Sequence, residues 1–289
     1  MYNALLKIVF WILSLKLIYP KKYRNWFLQQ NAILPKLKKN TNKVIWIHCA
    51  SLGEYENIKP LIPTLKTINS NISITFFSSS GYINFKDFNL INQISYLPLD
   101  VKSNMEKFIL KINPLLVIIS KNDIWPNMVT LLNAKKIPLY SIGCKLHAAK
   151  INHWLISKYY KKYLPKFSFI FCQDIISSNF LNSHNISNAI IGDTRINQVL
   201  IDSKLKFDDS IINRFIKNDK VTLYGSLEES DYQIVTGTIN TQKNIKHIIV
   251  PHEINQKTIE NLKNQISSKF ILYSEIEKSE KIHNYNILI

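Results

Sequence analysis

Short β-branched runs spaced by amphipathic stretches constrain this chain more than any other feature of it. From residue 43 the sequence reads "KVIWIHCA" (43–50), "ISITFFSSS" (72–80), "ISYLPLD" (94–100), "PLLVIIS" (114–120), "IPLYSIG" (137–143), "SFIFCQD" (168–174) and "NAIIGD" (188–193). Between them lie helical patterns, as in "VKSNMEKFILKIN", which sets Met105, Phe108, Ile109 and Ile112 on one face. Strand-length apolar runs alternating with helices signal a parallel sheet covered on both faces. The spacing predicts further helices over 55–68, with Pro60 and Pro63 in its early turns, and over 148–164. Between 194 and 218 the alternation lapses into polar, charged sequence. It resumes with "VTLYGS", "KHIIVPHE", "FILYSE" and "YNILI", which mark a second α/β domain. That domain is short beside the ~100–150 residues of a common doubly wound unit. Its closing "YNILI" reads as a core strand that needs a neighbour to cover it. The expected organisation is an N-terminal helix over 1–20, a Rossmann-like domain over 21–205 and a partial second domain over 206–289.

The formal charge of +17 on 289 residues favours a polyanion or an anionic membrane surface as partner. Lys, Asn and Ile dominate throughout, as codon bias toward A and T would also produce. No basic run interleaved with aromatics stands out, so nucleic acid is not expected as a partner. Cys49, Cys144 and Cys172 are isolated, with no CxxC, and no HExxH occurs, so a metal site is not expected. Lys7 and Lys16 interrupt the apolar opening "MYNALLKIVFWILSLKLIYP". A marginal span, an interfacial helix and a packed helix all remain open for it. The basic "KKYR" that follows suits anionic headgroups, and membrane attachment is the expectation.

In an open α/β sheet, ligands sit beyond the carboxyl ends of the strands. Three turns at such ends carry chemistry. In "IWIHCASLGEYENIKPLI", Ser51-Leu52-Gly53-Glu54 places an acid where a helix begins. Glu54 either complements the helix dipole or serves as a base, and Gly53 allows a ligand close to the backbone. "SSSGY", with Ser80 and Gly81, either hydrogen-bonds a phosphate or sugar or is a plain turn. In "SKNDIWPN", Asp123 either caps a helix or faces the cleft.

Taken in order, "IWIHCASLGEYENIKPLI", "TFFSSSGY", "YLPLD", "NPLLVIISKNDIWPN", "IPLYSI", "CQD" and "IGDTRINQVL" resemble the 3-deoxy-D-manno-octulosonic acid (Kdo) transferases. The likeness is densest over residues 44–200 and extends to "GSLEESD" and "IIVPHEI". The resemblance implies a two-domain GT-B glycosyltransferase at the cytoplasmic face of the inner membrane. It would transfer Kdo from CMP-Kdo to a lipid A precursor, with inversion and without metal or cofactor. By the same resemblance Glu54 matches the general base, and Ser51 and Gly53 shape its turn. Asp123 stands where relatives usually carry glutamate before Trp-Pro, and Lys145 lies near a position often held by arginine. Ser226 and Pro251-His252-Glu253 fall where relatives contact the nucleotide sugar.

The family continues past the point matching Ile289, through a glycine-rich turn that completes the donor pocket. The second domain is therefore expected to lack strands and to leave an unpaired edge. Three readings stand beside the transferase: another GT-B sugar transferase, an inactive or split remnant that binds lipid A precursor, and a basic nucleic-acid binder.

Overall fold

The computed structural model describes residues 2, 33–205, 208–242, 244–278 and 282–289. These form two compact units, Met1–Lys204 and Leu205–Ile289. The helix expected over 1–20 lies outside the described residues, apart from Tyr2. Among the described residues no helix is long and apolar enough to cross a membrane.

The first unit runs α1 (Ile33–Lys36), β1 (Val44–Cys49), α2 (Leu52–Ile58), α3 (Ile62–Ile68), β2 (Ile72–Phe76), α4 (Ser79–Ile83), β3 (Gln93–Tyr96) and α5 (Lys102–Ile112). It continues with β4 (Pro114–Ser120), α6 (Pro126–Ala134), β5 (Leu139–Cys144), α7 (Ala148–Asn152), α8 (Trp154–Tyr163), β6 (Phe169–Cys172), α9 (Ile175–Asn182), β7 (Asn188–Ile190) and α10 (Arg195–Asp202). The seven strands are parallel in the order β3-β2-β1-β4-β5-β6-β7. β1 is central, and all six of its residues are buried. Its side chains alternate between two cores, as a strand covered on both faces must. Trp46 packs with Phe108, Val117 and Met128 on one side. Ile45 and Ile47 pack with Ile74, Phe76 and Ile118 on the other. The four apolar positions of α5 that share a face are all buried.

Three segments depart from the pattern. The helix expected over 55–68 breaks into α2, a 3₁₀ turn at Lys59–Leu61 and α3. Pro60 and Pro63 have no N–H for the i−4 carbonyl, and the tighter turn absorbs the loss. The helix expected over 148–164 breaks at His153, whose ψ of 117° is extended. The lapse after 194 is helical: α10 is followed by α11 (Ser210–Ile216). α10 exposes Ile196, Val199 and Leu200 and buries Gln198, the reverse of a core-facing helix, so its periodicity was unreadable.

The second unit adds β8 (Val221–Leu227), α12 (Tyr232–Thr241), β9 (Lys246–Pro251), α13 (Gln256–Gln265), β10 (Phe270–Ile271) and β11 (Ile287–Leu288). Its parallel sheet has the order β10-β11-β9-β8. The final strand lies inside this sheet, with Ile287 opposite both His247 and Phe270. Edge strand β8 leaves Leu223 63 % exposed. Lys246 is buried, and its Nζ donates to the carbonyls of Phe215 (2.6 Å) and His283 (3.0 Å). Those two bonds fasten α11 and the turn before β11 to β9.

Candidate functional site

At the end of β1 the chain turns through Ala50 and Ser51 into α2. Ser51 is extended (φ −141°, ψ 170°) and its side chain does not cap the helix. The Glu54 carboxylate reaches back past the cap position, its Oε2 accepting a bond from the Ala50 N–H at 2.6 Å. No described residue bonds Oε1. The Ser120 hydroxyl, at the end of β4, donates to the Glu54 carbonyl at 2.8 Å and ties the first turn of α2 to the neighbouring strand. Next to it, Tyr55 Oη donates to Asp87 (2.8 Å), and one turn further on Lys59 pairs with the same carboxylate (3.0 Å). Glu54 therefore stands half-buried on a helix fixed at both ends.

The helix N-terminus does not by itself set the electrostatics of Glu54. Burial pushes its pKa up, and the neighbouring Asp123 carboxylate pushes it further. The Ala50 N–H and Lys121 oppose the rise without cancelling it. A raised carboxyl is the direction a general base requires.

Asp123 does not cap α6. The residue at the cap position is Trp125, and the capping carboxylate comes from Asp100, far away in sequence. Asp100 Oδ2 accepts from Asn127 N (2.8 Å) and Oδ1 from Met128 N (2.9 Å). Tyr2 Oη donates to the same group at 3.0 Å. Relieved of capping, Asp123 is a third exposed and stands 3.6 Å from Nε2 of His48. His48, fully buried in β1, also accepts from the Trp125 indole at 3.2 Å and meets Thr75 Oγ1 at 2.9 Å through Nδ1.

The other sequence-derived candidates divide. Gly53 is exposed, has no positive φ, and a Cβ there would meet nothing within 4 Å, so the fold does not demand glycine and the space beside it is open. Gly81 is the opposite case: a Cβ would overlap the buried Phe76 ring, so this glycine serves packing. Ser78 caps α4 by accepting from Gly81 N, and Ser80 bonds Ser78 at 3.0 Å, which makes "SSSGY" a helix start. Lys145 is exposed, and its backbone exchanges bonds with the Asn122 amide, locking the loops after β4 and β5 together.

In the second unit, Ser226 takes φ 58° where the β8–β9 register shifts, and its hydroxyl bonds His252 at 2.8 Å. His252 and Glu253 line an open pocket of about 350 Å³ with Glu228, Glu229 and Lys257, at the starts of α12 and α13. Pro251 is buried at the end of β9, opposite Leu227, and shapes the strand rather than the pocket.

Sequence reasoning missed His48 and Thr75, although a histidine within the apolar run "VIWIHC" was a signal. It also gave "GDTR" no role. There Asp193 is held by Arg195 and its pKa is depressed by that guanidinium, while the buried Thr194 hydroxyl has no partner among the described residues. No group of three or more His, Cys, Asp or Glu among the described residues could hold a metal ion.

The structure is similar to a putative UDP-N-acetylglucosamine 2-epimerase from Listeria monocytogenes, with a TM-score of 0.58 at 11 % identity over 86 % of this chain and 69 % of that one. A UDP-GlcNAc 2-epimerase from Methanocaldococcus jannaschii gives 0.54 at 18 % identity, over 85 % and 72 %. These likenesses show the fold, which is the two-domain α/β class called GT-B. In sequence, the chain is 24 % identical to a bifunctional glycosyltransferase/methyltransferase of Fusobacterium nucleatum, across 100 % of this chain and 46 % of that protein. It is 31 % identical to a 3-deoxy-D-manno-octulosonic acid transferase of Haemophilus influenzae over 137 residues, 46 % of this chain and 32 % of that one. A Rickettsia prowazekii transferase of the same description is 24 % identical over 70 % of this chain and 44 % of its own length. The chain thus spans less than half the length of these curated relatives. Residues 25–198, the greater part of the chain, match the model of one family, and on that match the protein belongs to the 3-deoxy-D-manno-octulosonic-acid transferases, or kdotransferases.

Proposed function

We propose that the chain transfers Kdo from CMP-Kdo to a hydroxyl of a lipid A precursor, with Glu54 as general base. The supporting observation is the half-buried Glu54 carboxyl at the end of β1, raised in pKa by burial and by Asp123, with one oxygen held by Ala50 and the other unbonded among described residues. In this reading Glu54 accepts the acceptor's hydroxyl proton as that oxygen bonds to the anomeric carbon. CMP leaves from the opposite face with the bonding electron pair, so the configuration inverts. No metal or cofactor takes part. The open space beside Gly53 admits the acceptor sugar. Lys121, at φ 60° after β4, and Lys145, after β5, supply positive charge on the same edge of the sheet. The first unit binds the acceptor, and the second holds the nucleotide sugar near Ser226, His252 and Glu253. The work takes place at the cytoplasmic face of the inner membrane, where the acceptor resides and where the segment 1–20 attaches the chain. Nucleic acid has no part.

Labelled Kdo transfer from CMP-Kdo to detergent-dispersed lipid A precursor tests this, with precursor binding measured in parallel. Transfer by the wild type that disappears in Glu54→Gln, with binding retained, is the expected result. Undiminished transfer by the variant removes Glu54 from the role. Binding without any transfer leaves the chain as an acceptor-binding protein.

A further inference from the structure

Residues 124–173 contain eight lysines and no Asp or Glu. The helix α8 lies in the middle of this stretch and has two different faces. Tyr160 and Tyr163 are buried, and Ile156 and Tyr159 pack against the same core. The outward face carries Trp154 at 70 % exposure, Leu155 at 53 %, and the exposed Lys158, Lys161 and Lys162. The fold gains nothing from an indole left in water, and an exposed Trp beside Leu in a ring of lysines needs another explanation. Only with the burial of α8 in view does "KINHWLISKYYKKY" stand out as a basic run interleaved with aromatics.

The location narrows the choice of partner. α7 leaves the end of β5 and α9 leaves the end of β6, so both start on the sheet edge where Glu54 and Asp123 follow β1 and β4. Neighbouring strands are ~4.8 Å apart, which puts the end of β6 about 10 Å from that of β4. Between α7 and α9 runs an open groove of about 370 Å³ lined by Ile151, Ile176 and Phe180 together with Asn152, Asn179 and Ser183. Ile175 and Ile176 are half exposed beside it. We propose that the α7–α8 turn docks on an anionic bilayer, with Trp154 and Leu155 in the headgroup layer and Lys150, Lys158 and Lys162 against lipid phosphates. A nucleic acid would use the lysines but not Leu155 or the exposed Ile175 and Ile176, and a single exposed indole offers no platform for successive bases. Interfacial helices combine an apolar entry with flanking lysines in this way. α8 runs back along the sheet, so its first turn enters the interface and the lysines follow at successive turns. The inference does not depend on sugar transfer, and it adds a second contact to the one proposed for residues 1–20.

The test is sedimentation of the full chain with vesicles of phosphatidylcholine, with and without about one-third phosphatidylglycerol. The wild type is expected to partition onto the anionic vesicles. Trp154→Ser with Leu155→Ser, and separately Lys158→Glu with Lys162→Glu, lower that partitioning about tenfold, and salt erases the lysine effect. Brominated acyl chains quench the wild-type emission, and Trp154→Phe still binds but loses the share of that quenching that Trp154 supplies. These residues are exposed, so melting stays unchanged, and transfer to detergent-dispersed acceptor reports separately on the catalytic reading. Variants that partition like the wild type, or a wild type that ignores anionic vesicles, overturn the proposal. So does tight binding of a DNA duplex that the same lysine substitutions abolish.

Discussion

The indole of Trp125 donates to Nε2 of His48 at 3.2 Å, and this one bond fixes where the imidazole carries its proton. An indole N–H can only donate, so Nε2 of the neutral ring is an acceptor and the proton sits on Nδ1. Nδ1 faces Thr75 Oγ1, which also accepts from the Trp46 indole at 2.9 Å and donates to the Ile47 carbonyl at 3.5 Å. Every donor then has an acceptor. The expected ¹⁵N spectrum of His48 is that of the Nδ1–H tautomer, and Trp125→Phe releases it to a mixture. An Nε2–H tautomer in the wild type contradicts the network.

The acid limb of the transfer rate should lie above the range of an ordinary glutamate. A base works only when deprotonated, so the rate rises with pH through the raised pKa of Glu54. Asp123→Asn removes the negative neighbour, lowers that pKa and moves the limb to lower pH. Glu54→Gln costs about 10²–10⁴ in kcat with little change in melting. A pH–rate profile of the three proteins decides it.

Asp100 gives the first unit a stability that depends on pH. Burial raises its pKa from 3.8 to about 6 despite the helix N–H groups and Tyr2 that favour the ion. A carboxyl raised on folding stabilises fully below its unfolded value. That contribution fades as pH climbs from about 4 to about 6 and is worth at most about 3 kcal/mol. Denaturation across this range should show the slope in the wild type and a flatter line in Asp100→Asn.

The two site glycines should separate under the same substitution. Gly53→Ala meets open space and improves helix propensity, so melting holds or rises while the acceptor KM increases. Gly81→Ala presses on Phe76, which is boxed in by Tyr55 and Phe85, and costs about 1–3 kcal/mol. Melting curves and acceptor titrations of both variants test the contrast.

Lys246→Met should loosen the second unit and spare the first. It strands the Phe215 and His283 carbonyls and removes the ammonium lying 4.5 Å over the Phe215 ring. A loss of about 2–4 kcal/mol in the second unit's unfolding transition is expected. Hydrogen exchange resolved to β9 and α11 measures it.

What the sequence disclosed was local. The parallel strands were legible because each is a short buried run, and the Glu54 turn because glycine and acid stand together at a strand end. The cap of α6 was illegible, since Asp100 reaches it from 27 positions away and Asp123 was the nearer acid. The break at His153 has no proline or glycine to announce it. Ser226 at positive φ follows from a register shift between two strands, which no single stretch of sequence encodes. His48 was overlooked because a residue satisfied by Thr75 and Trp125 needs partners from two other segments to be recognised.

In the second sheet, β10 reaches its neighbours only through β11, and β11 joins β9 across the 40 positions between His247 and Ile287. The unit therefore cannot assemble in the order in which its strands occur. A loop of that length must close before β10 has an edge on which to settle. Until then the β10 segment waits without a partner, so its pairing must follow that of β11 with β9.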